Sequence, residues 1–124
     1  MPNISFTIHL PPVTKKNHSQ IIKCKGRSIL IPSKQYLQYE KDCSIFMPHG
    51  EPIDYKINLK CVYYMPTKRK VDLCNLLAAT CDILVKHKVI ADDNSEIVVS
   101  HDGSRVLYDK LNPRTAIEIE RIKE

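Results

Sequence analysis

The passage from strand to helix in the middle of the chain constrains the fold more than any other feature. Residues 55–65 alternate in hydrophobicity, as expected of a strand with one buried face. Pro66-Thr67 then marks a turn. Asp72 is a good N-cap for a helix that we expect to end at about His87 or Lys88. A strand followed by a long amphipathic helix predicts a sheet packed against helices.

This predicted helix is apolar on two faces. The first face carries Leu73, Leu76, Leu77, Thr80, Ile83 and Leu84, and the second carries Cys74, Ala78, Cys81 and Val85. We expect the sheet to cover one face and a second subunit to cover the other. A chain of 124 residues is at the small end of domain size, so a homodimer would also bury additional surface.

The other elements are predicted from periodicity and turn residues. They are a strand over residues 4–10, a hairpin with arms 20–24 and 28–31, a helix opened by Pro32-Ser33, a strand over 96–100, a turn over 101–105 and a final edge strand over 115–122. The order of elements predicts one α+β domain spanning residues 1–124, with a small mixed β-sheet packed with two main helices.

The charge of the chain is divided unevenly along its length. The formal net charge is +5, but residues 1–71 carry a net +8 and residues 72–124 a net −3. A basic half suits a polyanion such as DNA, and an acidic half suits a metal ion. The charges alone leave open the alternative of a structural protein with an ordinary solvated surface.

The basic triplet, Lys68-Arg69-Lys70, leads into Asp72 at the predicted helix start. Such cations bind a phosphate backbone, whereas carboxylates bind the hard divalent metal ions that assist its hydrolysis. Helix capping alone would explain Asp72 without any chemistry. The adjacent cations favour a catalytic role, because a phosphodiesterase needs both kinds of group together.

A second acidic cluster, Asp92-Asp93, follows the helix. Turn chemistry alone accounts for such a sequence in most proteins. Two adjacent carboxylates repel each other, however, and a metal ion between them and Asp72 would relieve that repulsion. Magnesium and manganese prefer oxygen ligands of this type. The two ends of the helix contribute to one site only if the chain runs back beside the helix start.

Several classes of protein are disfavoured by the sequence. Five cysteines without a Cys-x-x-Cys pair argue against a disulfide scaffold and a structural zinc site. Cys74 and Cys81 are expected to be core thiols rather than nucleophiles, and the five histidines lack zinc-ligand spacing. Neither a signal peptide nor a transmembrane stretch is apparent. We therefore expect a cytoplasmic protein without a membrane partner.

Three motifs, in order, resemble those of the RusA-type Holliday-junction resolvases (crossover junction endodeoxyribonucleases) of phages and prophages. Pro11-Pro12-Val13-Thr14-Lys15-Lys16-Asn17 follows the first strand, as the family's Pro-Pro…Asn loop does. Val71-Asp72-Leu73-Cys74-Asn75 stands where the family has Asp-x-Asp-Asn at a helix start, and Val89-Ile90-Ala91-Asp92-Asp93 matches its Asp-Asp turn. With the order of elements, the resemblance covers nearly the whole chain.

The resemblance implies a homodimer that binds four-way DNA junctions and nicks opposed strands with magnesium, in recombination and repair. Asp72 matches the family's first aspartate, and Asp93 or Asp92 matches the aspartate of the turn. The predicted catalytic residues are Asp72, Asp93 and Lys70, and the predicted ligands of Mg²⁺ (or Mn²⁺) are Asp72, Asp92 and Asp93. The predicted DNA-binding residues are Lys15, Lys16, Asn17, Lys68, Arg69 and Lys70.

Two positions depart from the family's pattern. Cys74 stands in place of the second aspartate and Ala78 in place of a lysine, four residues apart on one helix face. Either this acid and base are dispensable, or the protein is a weakened or inactive nuclease that still binds junctions. Lys70 would replace the missing lysine at the phosphate or the leaving group, and Asp72, Asp92, Asp93 and Glu96 remain to complete a magnesium shell.

Overall fold

A computed structural model describes residues 3–15 and 19–123. In chain order, the elements are β1 Ile4–Ile8, β2 Ser19–Cys24, β3 Arg27–Pro32, α1 Lys34–Asp42, a 3-10 turn Cys43–Phe46, β4 Ile57–Met65, α2 Leu73–Lys86, β5 Val98–Ser100, β6 Arg105–Tyr108 and β7 Arg114–Arg121. They form a mixed five-stranded sheet with two helices, and β2 and β3 pair as a separate hairpin. The predicted α+β fold class is confirmed.

The order of strands in the sheet differs from the prediction in two ways. β7 lies between β1 and β4 and is antiparallel to both, so the prediction of a final edge strand is wrong. β5 and β6 both pair in parallel with β4, and β6 was not predicted: it begins at Arg105, where the predicted turn ends. Alternating hydrophobicity in a strand indicates which face is buried, but not how many neighbouring strands it has.

One face of the sheet forms the core. Its buried side chains are Ile8, Ile57, Leu59, Cys61, Tyr63, Thr115, Ile117 and Ile119. The face of β4 that the alternation predicted to be buried is therefore confirmed. The opposite sheet face carries alternate residues such as Val62, Tyr64 and Ala116, which are half-buried.

The two helices pack against this core and against each other. The Tyr63 hydroxyl and Thr80 Oγ1 lie 2.6 Å apart, which ties β4 to α2. Tyr36 of α1 donates to the carbonyl of Ala79 at 3.5 Å, and Glu40 of α1 accepts from Lys86 at 2.5 Å. These helix-to-helix contacts lie at and beyond Ala79, so α1 braces the C-terminal half of α2.

The start of α2 follows directly from the sequence. Asp72 is the N-cap, as predicted, and the helix ends at Lys86 with His87 as the C-cap. On the second face of the helix, Cys81 is buried but Cys74 and Ala78 are exposed. The N-terminal half of that face is therefore open to solvent in a single chain, and Cys74 is not the core thiol that was predicted.

Candidate active site at the start of helix α2

The basic triplet occupies the loop between the end of β4 and the start of α2, and its three side chains are exposed. The backbone N–H of Arg69 donates to Thr67 Oγ1 at 3.4 Å, which shapes the turn. The Lys68 ammonium lies 5.3 Å from the centre of the Tyr108 ring in β6. Three cations are thus presented to solvent at one end of the sheet, as a phosphate-binding surface requires.

Asp72 combines a structural contact with an available carboxylate oxygen. Its Oδ1 accepts the backbone N–H of Cys74 at 2.9 Å, which caps the helix. Among the described residues, the exposed Asp72 carboxylate has neither an ion pair nor another hydrogen bond. The positive end of the helix dipole stabilises the anion there, and Oδ2 remains free to bind a cation.

The two acids after α2 have different surroundings. Asp92 accepts the backbone N–H of Asp93 at 2.8 Å with one oxygen and the Asn94 side-chain amide at 2.9 Å with the other. Asn94 in turn accepts the backbone N–H of Glu96 at 2.9 Å. Asp92 therefore stabilises the turn, whereas no described hydrogen bond engages the Asp93 carboxylate. Of the two acids, Asp93 is the more available ligand.

Asp93 acts electrostatically on Cys81 of α2. The pKa of the Cys81 thiol is raised to about 12, mainly by burial, then by the charge of Asp93 and that of Asp82. The charge of Asp93 therefore acts on a buried thiol in the C-terminal half of α2.

The acids do not form a closed metal cage in a single chain. Over residues 3–15 and 19–123, no three His, Cys, Asp or Glu side chains are grouped closely enough to hold a metal ion. Magnesium commonly binds one or two carboxylates and completes its shell with water and substrate phosphate oxygens. The carboxylates present suit an open site of that kind, and the predicted ligand set stays a prediction.

The loop that carries the Pro-Pro motif lies beside the basic triplet. Pro12 and Thr14 line a surface cavity of about 370 Å³ together with Arg69, Lys70 and Val71. Lys15 pairs with Asp82 of α2 at 3.4 Å, and both side chains are about half exposed. Such an ion pair is weak and can be exchanged for a phosphate contact. Lys16 and Asn17 lie outside the described residues.

A protein-family model shows which family the chain belongs to. A model of the endodeoxyribonuclease RusA family matches residues 9–120. The chain belongs to the RusA family of Holliday-junction endodeoxyribonucleases. A search of curated proteins finds no match. RusA enzymes are metal-dependent nucleases of recombination and repair, so the predicted family, activity and junction substrate are confirmed.

The matched RusA region contains the elements that form the candidate site, from the Pro-Pro loop to the Asp92-Asp93 turn. It also contains the two departures at Cys74 and Ala78, which are exposed one helical turn apart. Cys43, Cys61 and Cys81 are buried, and burial raises the pKa of each thiol to about 12. These three thiols remain protonated near neutral pH and are unsuited to nucleophilic catalysis. Within the described residues, neither helix is long and apolar enough to cross a membrane.

The aromatic and cationic contacts near the RusA site were not predicted from the sequence. Tyr63 is buried, so it cannot stack on a DNA base. The Arg114 guanidinium lies 3.7 Å from the centre of the Tyr64 ring and covers one face of it. Arg114 also pairs with Asp109 at 2.9 Å. The run Asp109-Lys110-Leu111-Asn112-Pro113 has a typical turn composition, which could have predicted this loop but not its contacts.

Proposed function

We propose that this RusA-family protein cuts four-way DNA junctions with magnesium held by Asp72 and Asp93, while Lys70 binds the scissile phosphate. The position of Asp72 carries the proposal. Asp72 lies two residues after three exposed cations, and its carboxylate uses one oxygen for the helix cap. A carboxylate in that position is close to any phosphate that the basic triplet binds.

The chain's own groups have distinct roles in this proposal. Asp72 would hold the metal through Oδ2, because Oδ1 is engaged by the Cys74 N–H. Asp93 is preferred to Asp92 as the second ligand, since both oxygens of Asp92 are engaged by the turn. When bound, the metal supplies Lewis-acid polarisation of the phosphate and a lowered pKa for a bound water. Lys70 and Arg69 orient the DNA backbone, and Lys70 stabilises charge on the leaving oxygen.

Magnesium is supported by the type and number of available donors. The candidate ligands are carboxylate oxygens, and they are too few for a closed protein cage. Magnesium tolerates this arrangement because it retains water and shares phosphate oxygens with the substrate. Manganese accepts the same ligands and is the expected substitute.

A weakened or inactive junction-binding protein is the second candidate, and it is favoured by Cys74 and Ala78. These residues replace an acid and a base of the family's pattern, and both are exposed on the N-terminal half of α2, the helix that Asp72 caps. Their exposure means that core packing did not require the change. Binding of junctions by the basic triplet would be retained even if the metal site were impaired.

We also propose a homodimer. A four-way junction has two opposed strands to nick, which calls for two sites related by a two-fold axis. In the described part of the chain, both helices pack on the core face of the sheet, and the outer face carries Thr7, Val62, Tyr64 and Ala116. A partner subunit on this face would leave the open part of α2 accessible to DNA.

We further propose that the matched region works as one endonuclease domain in the cytoplasm. The described cysteines Cys43, Cys61, Cys74 and Cys81 are free thiols, which suits a reducing compartment.

The test is a magnesium titration of cleavage on a synthetic four-way junction, run beside a binding assay. Asp72→Asn should abolish cleavage and retain binding, since asparagine preserves the cap but removes the charge. Asp102→Asn is the matched control, because Asp102 is an exposed acid near the opposite end of β4. Binding without cleavage by the wild type identifies the inactive alternative. Absence of binding refutes both the nuclease and the inactive junction-binding protein.

A further inference from the structure

Leu111 projects into solvent from the loop between β6 and β7. It is 94% exposed, the highest value among the large hydrophobic residues whose side chains the structure describes. An isolated exposed leucine needs no explanation in itself. Leu111, however, stands on a firmly held loop next to the basic triplet, and it makes no contribution to the core.

The loop is held in one shape by Asp109 and Arg114. Asp109 Oδ1 accepts the backbone N–H groups of Leu111 and Asn112, each at 3.2 Å. Asp109 Oδ2 accepts from Arg114 at 2.9 Å, and Arg114 also donates to the carbonyl of Asn112 at 2.9 Å. The guanidinium is stacked on Tyr64. Leu111 is therefore displayed on a preorganised scaffold, which lowers the entropy lost when it binds a partner.

The loop adjoins the proposed phosphate-binding surface. The backbone N–H of Asp109 donates to the carbonyl of Met65 at 2.9 Å, which fixes the start of the loop beside the end of β4. Lys68 lies over the Tyr108 ring immediately before the loop. Lys110 in the loop itself is also exposed, so the apolar tip has Lys110 next to it in the chain and Lys68 nearby. This combination matches nucleic acid, which presents apolar base faces between anionic phosphates.

We propose that Leu111 is a wedge that enters the base stack at the branch point while the basic triplet holds the adjacent phosphates. This proposal rests on the junction-cleaving function above. Proteins insert leucine and similar apolar side chains between base steps and thereby unstack and kink DNA. The penalty for unstacking is smallest where a base is already poorly paired or stacked, as at the centre of a junction. Leucine suits this role because it has no polar atom to leave unsatisfied.

The wedge is tested with junctions that carry the fluorescent base aminopurine, either at the branch point or in the middle of an arm. All proteins carry Asp72→Asn to prevent cleavage. Binding should raise the emission of the branch-point probe and leave the arm probe unchanged, because unstacking relieves quenching. Adding Leu111→Ser should abolish that rise and weaken junction binding by about tenfold, the equivalent of losing part of one buried leucine.

Ile45→Ser is the matched control. Ile45 is 81% exposed in the 3-10 turn, which packs near β1, whereas β6 lies at the other edge of the sheet. The control should keep both the fluorescence rise and the affinity. Circular dichroism should give equal melting temperatures for both serine variants, since neither position is buried.

Two results would overturn the wedge and leave the proposed function standing. One is junction binding in which Leu111→Ser gives the same branch-point emission as the parent protein. The other is a change in molecular mass caused by Leu111→Ser, which would assign Leu111 to a contact between subunits. Failure of the parent protein to bind any junction would instead refute the proposed function together with the wedge.

Discussion

Replacing Cys74 with aspartate and Ala78 with lysine should raise the rate of junction cleavage without destabilising the fold. Both positions are exposed, so the new charges stay in water and avoid the penalty of burial. A carboxylate in the first turn of α2 gains about 0.3–1 kcal/mol from the helix dipole. An acid–base pair four residues apart adds roughly 0.2–0.5 kcal/mol. The free energy of unfolding should therefore increase by about 0.5–1.5 kcal/mol.

The effect on catalysis should be larger than the effect on stability. The double change places a carboxylate two residues from Asp72 and a lysine one turn further along the helix. Groups that support a metal ligand typically change activity by roughly 10- to 100-fold. We expect an increase in that range for single-turnover cleavage of a labelled junction in excess magnesium. Melting temperature should rise by roughly 4 °C for each kcal/mol gained.

The same measurements are made on Cys74→Asp alone, on Ala78→Lys alone and on a charge control. Leu37→Asp is the control, because it places a carboxylate four residues before Lys41 on the exposed side of α1. It should leave the cleavage rate unchanged. An unchanged rate in a stable double variant would remove position 74 from the active site. A loss of several kcal/mol of stability would show that position 74 is covered, in contradiction of its exposure on α2.

Four other results are expected. Asp72→Asn and Asp93→Asn should each abolish magnesium-dependent cleavage while junction binding is retained or tightened, and either variant cutting at the wild-type rate would refute the ligand assignment. Alanine in place of the basic triplet should flatten the log–log salt dependence of binding by roughly 0.9 per lost contact; an unchanged slope would place the triplet off the DNA path. Light scattering should give about twice the chain mass of 14.3 kDa. A measured mass of one chain would refute the proposed homodimer. A thiol reagent at pH 8 should modify Cys74 before the three buried thiols, whose pKa values are raised to about 12; mass spectrometry showing equal rates would contradict their burial.

The parts of the fold that depend on local chemistry were predictable. Alternating side chains indicated β4, and Asp72 marked the start of α2 because a free carboxylate satisfies helix N–H groups. β6 was missed because its residues bury little surface, with only Val106 partly covered. The central position of β7 was missed because it depends on pairs far apart in the chain, such as Ile4 with Ile119.

At the candidate site, the types of residue were predictable from the sequence, but their surroundings in the fold were not. The types of residue near Asp72 indicated a nuclease, since cations and a carboxylate occur together there. The difference between Asp92 and Asp93 was not predictable, because it arises from how Asn94 and the backbone fold within one turn. Exposure of Cys74 was likewise inaccessible to sequence reasoning, since helical periodicity places it on the same face as the buried Cys81.

The central position of β7 also determines when the protein becomes a nuclease during its synthesis. β7 comes after the other described strands in the sequence, yet it joins β1 to β4 through pairs on both of its edges. Until β7 leaves the ribosome, β1 lacks its sheet partner and one edge of β4 lacks its neighbouring strand. Strand pairs this distant in sequence form slowly because the intervening loop must close first. We therefore expect cutting activity to appear only after β7 is inserted, because before then α2 lacks a complete sheet on which to pack.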